Sequence, residues 1–501
     1  MLKRYAVVAQ EKVDEKSLAS YVNKLMALEV MLARAPYSTE DTVRRNFSRW
    51  DNMKTLKQAN QDYGFVNWIT FFDKISNYTD LASIRQGQLS RYTAYFVEDG
   101  PLKQLNQDIS DATKFDRNLL VNYFFFRLLV QNSKFIPKSQ SSSSYVKMVQ
   151  SPGFDLGMQT HLRRDRSRPD PFDGDDEETR MACARQTMEM MTFANARVFT
   201  ELLYPTLEHR QNIRKATNKL VQSIRHSYRG MMDELNWLDD SSRKGASAKV
   251  DDMQTYETLI ISKQDDTYFT ALDKLIVYNQ QQQYKQLLSS VDRSYFVGPP
   301  STVNAWYAPE FNSITFPEGI LREPWFNPNW PASINYGGLG VVAGHEVSHA
   351  FDDGGVQWTS LGVDEYSGFQ VLDASKYTPN KVNGDNTQGE NIADNAGIHA
   401  SFRAYRNHIA LNGPDPQLPD RTFGQITHDQ LFFLSFAQTW CQAPPTDDQL
   451  FQQILVDPHA PSYNRVFGTV QNYPAFRSAF NCPVGTAYAP KEHCHVWTPV
   501  N

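Results

Sequence analysis

The residues best suited to chemistry in this 501-residue chain lie in the run Val341-Val-Ala-Gly-His345-Glu346-Val-Ser-His349-Ala-Phe-Asp352-Asp353. It contains His-Glu-x-x-His. On a helix, side chains four apart stand one turn above another, so His345 and His349 would share a face. Two imidazoles at that spacing can hold one Zn²⁺, and Glu346 between them can reach water at the metal. Composition alone would produce such a match in about one chain of this length in a hundred. The plain alternative is a buried helix with two hydrogen-bonded histidines.

A catalytic zinc site takes three protein ligands and leaves one position for water. One known pattern puts a third His six residues past the second, with a Gly halfway. Those positions hold Gly355 and Asp352, so that pattern fails. A carboxylate from a later helix is the other option. Glu390 and Asp394, in Gly389-Glu-Asn-Ile-Ala-Asp394, are four apart and would face one way on a helix. One can bind the metal while the other accepts the N–H of a ligand histidine, fixing its tautomer. By itself such a pair is usually a solvated helix face.

The elements that must carry these groups can be read coarsely. Val303–Tyr307 and Asn312–Phe316 predict short strands separated by Pro309. The metal motif reads as a buried helix, followed by a polar, Gly-rich connection from Gly354 to Asn386 and a helix opening near Gly389. Thr427–Cys441 predicts a further buried helix, and the tail from Cys482 is irregular. Upstream, residues 1–130 and 179–295 carry helical periodicity, as in Leu18, Tyr21, Val22 and Leu25. Met188, Met190 and Met191 read as core filling. The helix around Tyr268–Leu288 precedes Phe296-Val-Gly-Pro-Pro300, and a boundary is expected at 295/296. Between 132 and 178 a serine tract, a basic block and an acidic block predict a solvated loop. The expected fold class is mainly α with a small sheet.

Net charge is −6, and no basic face points to nucleic acid. The N-terminal apolar run is too short for a signal peptide. Leu119–Val130, the most apolar stretch, carries Asn122 and Arg127 and predicts a core helix rather than a membrane span. Four cysteines permit disulfides without showing them, and His493-Cys494-His495 reads as a packed or solvated tail. Asn46 and Asn77 stand in glycosylation sequons, a weak pointer to secretion.

Taken together, the C-terminal motifs resemble those of the neprilysin and endothelin-converting enzyme family of zinc peptidases. They run in order: Val303-Asn-Ala-Trp-Tyr, Phe316-Pro-Glu-Gly-Ile-Leu, Tyr336-Gly-Gly-Leu-Gly, the His-Glu-x-x-His helix with Phe-Asp-Asp, Gly389-Glu-Asn-Ile-Ala-Asp, Gln438-Thr-Trp-Cys, Asp457-Pro-His-Ala-Pro-Ser-Tyr-Asn-Arg-Val, and Cys494-His-Val-Trp. The resemblance implies a thermolysin-like lobe, 296–501, and a helical capping lobe, 1–295. It implies one zinc held by His345, His349 and Glu390, with Asp394 holding His345. Glu346 would be the general base, and His459 would donate to the oxyanion. Asn304, the backbone of Ala305, and Arg465 would grip a peptide substrate. Ile320, Trp325, Val342 and Trp440 would line an apolar primed-side pocket, giving cleavage before hydrophobic residues outside the cell.

Full-length members of that family also carry a cytosolic tail, a membrane span and a cysteine-bearing segment. These are not seen in this chain, so the resemblance implies a truncated form whose cysteines lack their usual partners. The stretch between His349 and Glu390 is shorter than usual. Trp306 and Ala396 are smaller departures. Two alternatives stand beside the peptidase: a binding or scaffold protein that keeps the zinc residues without turnover, and a zinc hydrolase for a non-peptide substrate.

Overall fold

Helices dominate the residues that a computed structural model describes, which are 14–34, 36–37, 52–76, 91–131, 177–251, 253, 293, 296–358, 384–419 and 425–499. Two antiparallel two-stranded sheets accompany them. The sequons at Asn46 and Asn77, the helix expected at Tyr268–Leu288, and most of the 132–178 loop lie outside the described residues. Contacts divide the chain into two compact units, Met1–Leu156 and Gly157–Asn501.

The first unit contains α1 (Glu15–Leu32), β1 (Met53–Thr55), α2 (Leu56–Asp62), α3 (Trp68–Ser76), β2 (Thr93–Tyr95), α4 (Asp99–Asp108) and α5 (Arg117–Gln131). Asp14 caps α1 by accepting from the Ser17 amide, and Thr55 with Gln58 forms a capping box on α2. Leu56, Ala59, Tyr63 and Phe96 form a small core. The stretch expected to be a core helix is helical, as α5, but it is not buried like one. Val121, Phe124, Phe125 and Leu128 are each more than half exposed, and α1 is its helical neighbour.

The second unit holds α6 (Glu177–Met190), α7 (Thr192–Leu203), α8 (Leu207–Glu234), α9 (Asp240–Asp251), β3 (Trp306–Ala308), β4 (Ser313–Thr315) and α10 (Ala332–Asn335). A π-helical turn, Tyr336–Gly340, leads into α11 (Val341–Ser348). A short 3-10 turn at Gly355–Gln357 precedes α12 (Gly384–Asn412), α13 (His428–Thr439), α14 (Asp447–Val456), α15 (Ser462–Gln471) and α16 (Pro474–Phe480). Met188 and Met190 are only half-buried and Met191, at the N-terminal boundary of α7, is exposed, so these methionines do not fill a core as expected.

In α8 the residues Ile213, Thr217, Leu220, Ile224, Tyr228 and Met231 recur at three- and four-residue intervals and are buried. That stripe packs on α11 and α12, and Tyr228 stacks on Phe351 with ring centroids 5.4 Å apart. Residues 207–251 therefore share one hydrophobic core with the metal motif. The strands are shifted from their expected positions. β3 runs up to Pro309, and Asn312 turns the chain with φ 44°, a left-handed conformation that Asn tolerates.

Candidate metal centre

Two long-separated segments meet because glycine faces glycine. A Cβ on Gly344 of α11 would lie 2.6 Å from the Gly397 carbonyl oxygen of α12, and one on Gly397 would lie 2.7 Å from the His345 amide nitrogen. Without side chains there, the two backbones touch, and the first turns of α12 lie across the His-Glu-x-x-His face. The expected Glu390–Asp394 helix exists but begins earlier, at Gly384.

The geometry at the crossing is tight. His345 Nε2 is 2.9 Å from His349 Nε2 and 3.2 Å from Glu390 Oε2, and His349 Nε2 is 3.6 Å from the same oxygen. Asp394 Oδ1 accepts from His345 Nδ1 at 2.9 Å, and Asp352 Oδ2 accepts from His349 Nδ1 at 2.6 Å. With both Nδ1 protons so engaged, both Nε2 atoms turn lone pairs inward. Glu390 Oε2 is buried and makes no hydrogen bond. Three lone pairs converging in a buried site call for a cation between them.

Zinc fits this donor set. With Zn–N and Zn–O bonds of about 2.0–2.2 Å, the edges of a tetrahedron are about 3.3 Å, which the three separations bracket. Among the described residues this is the group of three ligand-type side chains whose donor atoms lie within 4.8 Å of one another, and the tail histidines do not form one. The carboxylates also bring negative charge that favours a positive partner at this point, a proton or a metal ion. Burial favours a neutral His349, but Glu390 and Asp352 outweigh it and hold the ring well above its ordinary pKa. Burial likewise opposes the Glu390 carboxylate, and His349, His345 and His459 overcome it and keep it well below the usual range.

Around this triad lie more of the expected residues. Arg465, buried on α15, donates from Nε to Asp394 Oδ2 and from Nη2 to Asp394 Oδ1, both at 2.7 Å. Its guanidinium lies over the Trp440 ring, 3.9 Å from the centroid. His459 points Nε2 at Glu390 Oε1 from 3.3 Å, while its Nδ1 faces Asp457 Oδ1 at 2.8 Å. Glu346 is 5% exposed and, among the described residues, makes no hydrogen bond or ion pair.

The remaining expected residues sit on adjacent elements. Asn304 and Ala305 lead directly into β3, which packs on α11 and has β4 as its one strand neighbour among the described residues. The Trp325 carbonyl accepts from Leu339 in the π turn at 2.9 Å. Ile320 belongs to the main core, with Trp325, Val342 and Trp440 packed against it. Sequence reasoning gave no role to Asp352 or Asp457. Their signal was their place beside a ligand-type histidine, three and two residues away, where a carboxylate can orient a ring. Cys441, Cys482 and Cys494 are unpaired.

Two histidines one turn apart at one helix and a glutamate on the next, inside a mainly helical chain, form the donor set of a zinc-metallopeptidase type of centre. The family model for peptidase family M13 matches residues 304–363 and 359–496, and that family's N-terminal model matches residues 1–258. The chain belongs to peptidase family M13. It is 27% identical over 524 residues to neprilysin-11 of Caenorhabditis elegans, covering 97% of this chain and 57% of that one. It is 29% identical over 522 residues to an endothelin-converting enzyme homolog of Locusta migratoria, covering 97% and 66%. The chain thus spans about three fifths of the length of these relatives. In fold it is similar to the Mycobacterium tuberculosis zinc metalloprotease Zmp1, solved with an inhibitor, at a TM-score of 0.67 and 22% identity over 99% of this chain and 73% of that one. PepO from Lactobacillus rhamnosis gives a TM-score of 0.64 at 21% identity over 97% and 72%.

Proposed function

We propose that the protein is a zinc-dependent endopeptidase that cleaves oligopeptides on the amino side of hydrophobic residues. The observation that carries this is the convergence of His345, His349 and Glu390 beside an unpaired Glu346 carboxylate. Zinc held there would supply Lewis acidity, which brings the ionisation of water to about pH 7. Glu346, one residue past the first ligand and without a hydrogen bond or ion pair among the described residues, is suited to take a proton from water and pass it to the leaving amine. His459, oriented by Asp457, is suited to donate Nε2–H to charge developing on the scissile carbonyl oxygen. Asp394 occupies two nitrogens of Arg465 and leaves Nη1 for a substrate carbonyl.

An extended peptide could pair along the open edge of β3, held by Asn304 and the Ala305 backbone. The apolar cluster that includes Ile320, with Trp325, Val342 and Trp440 at its margin, supports the hydrophobic preference. A division into a helical part, 1–295, and a peptidase part, 296–501, belongs to the same proposal, as a division along the sequence in which residues 207–251 pack into the core of the peptidase part. It is supported by the family matches that end at 258 and resume at 304. Secretion, with glycosylation and disulfides, rests on family resemblance; no described helix is long and apolar enough to cross a membrane.

The test is a peptide panel digested by the zinc-loaded protein and read by mass spectrometry. Cleavage before Phe, Leu or Ile, abolished by a chelator and restored by zinc, is expected. A protein that loads zinc and leaves every peptide intact would instead be a non-hydrolytic binding protein. Turnover of a non-peptide ester with no peptide cleavage would mark a different hydrolase.

A further inference from the structure

Lys249, at the C-terminal end of α9, is 5% exposed and has no part in the chemistry above. Its Nζ donates to three main-chain carbonyls, those of Ala350 at 2.8 Å, Gly355 at 2.5 Å and Trp358 at 2.6 Å. All three belong to the turn that follows the metal helix. Ala350 immediately succeeds His349 and carries one of the carbonyls that a helix end leaves without an intrahelical donor. A cation there also complements the helix dipole. Burial pulls the Lys249 pKa down to about 7, and three carbonyl acceptors match the three N–H bonds that only the protonated form carries.

The same turn builds the support for a ligand. Asp352 Oδ1 accepts from the amides of Gly354 at 2.9 Å and Gly355 at 2.6 Å, and Oδ2 faces His349 Nδ1. At Gly355 a Cβ would collide with the His349 carbonyl oxygen, so the turn closes tightly on the helix end. On its other side, the Lys249 carbonyl accepts from Asn312 Nδ2 at 3.0 Å, and Asn312 Oδ1 accepts from the Tyr307 hydroxyl at 3.0 Å. Lys249 thus joins the β3–β4 hairpin to the end of the metal helix.

We propose that Lys249 is a positioning residue for the metal centre, clamping the Ala350–Trp358 turn so that Asp352 holds His349 in its metal-binding tautomer and orientation. This rests on the zinc reading of the site. Carboxylates that orient a ligand histidine typically change metal affinity about 10–100-fold when altered, and Lys249 acts one link further out.

The experiment compares the full chain with Lys249→Met, Asp352→Asn, the double variant, and Ile224→Ala. Ile224 is a fully buried residue of α8 that makes none of the clamp's hydrogen bonds, and its truncation lowers stability without removing any of them. Zinc affinity is read by chelator competition, the ligand field by the cobalt-substituted absorption spectrum, and stability by thermal melting of the metal-free protein. Lys249→Met should weaken zinc binding about tenfold and shift the cobalt spectrum. The double variant should lose little more than Asp352→Asn, because both act through one contact. Ile224→Ala should melt lower yet keep wild-type zinc affinity and spectrum. Lys249→Gln, which keeps two donors, should lie between wild type and Lys249→Met, and it serves if the Met variant does not accumulate. Unchanged zinc affinity and spectrum in the Lys249 variants, or losses that add fully to those of Asp352→Asn, overturn the proposal alone. A wild-type protein that takes up no zinc overturns the metal reading with it.

Discussion

Asp394 grips Arg465 through two hydrogen bonds of 2.7 Å while also accepting from His345 Nδ1 at 2.9 Å, so one buried carboxylate both orients a candidate metal ligand and neutralises a buried guanidinium. Removing it strands the Arg465 charge. Asp394→Ala should therefore cost about 3–5 kcal/mol of stability in the metal-free protein, measured by urea unfolding. It should also weaken zinc binding about 10–100-fold. A loss below about 1 kcal/mol would mean that water satisfies Arg465.

The same pair sets an acid limit. Burial would raise the Asp394 pKa, but Arg465 and His345 prevail and bring it down to about 2, from an ordinary 3.8. A depressed carboxylate contributes stability above its unfolded value, and that contribution disappears as pH falls through the folded one. The gap corresponds to about 2 kcal/mol. In metal-free protein, the stability advantage of wild type over Asp394→Asn should shrink as pH falls from about 4 to 2. An advantage that does not shrink below about pH 4 contradicts this assignment.

Helix contact at the two glycines gives a prediction opposite in sign to helix propensity. Gly to Ala inside a helix ordinarily stabilises by up to about 1 kcal/mol. Gly397→Ala should instead destabilise by about 1–3 kcal/mol, since its methyl would meet the His345 backbone rather than a movable side chain. Gly468→Ala on α15 is the matched control: nothing lies within 4 Å of its added Cβ, and it should stabilise by about 0.4–1 kcal/mol. Thermal melting of both variants measures the contrast.

Glu346→Gln separates binding from turnover. The amide keeps the shape of the side chain and cannot take a proton, so peptide hydrolysis should fall about 10²–10⁴-fold with zinc content unchanged. Retained turnover would remove Glu346 from the base role.

The centre was legible in the sequence because its ligands obey helical spacing. His345 to His349 and Glu390 to Asp394 are each one turn apart, and that period marks both pairs as candidates, the second pair gaining weight only beside the first. What the sequence hid is main-chain in nature. Lys249 binds carbonyl oxygens, which every residue carries, so no motif announces its partners. The Gly344–Gly397 contact depends on two helices crossing, which periodicity along one helix cannot show. Asp352 was visible beside the motif, but its role needed the turn that aims it at His349. For α5 the apolar composition called for burial, yet Phe124 and Phe125 face outward, because composition does not say which neighbours a helix meets.

Metal stoichiometry in Glu390→Ala tests the central claim most directly. Wild type dialysed against limiting zinc should hold one ion per chain, and the variant should bind more than about a hundredfold more weakly while its metal-free melting shows it folded. Wild-type zinc affinity in Glu390→Ala would mean that the two histidines find their third ligand elsewhere, and the proposed centre would be wrong.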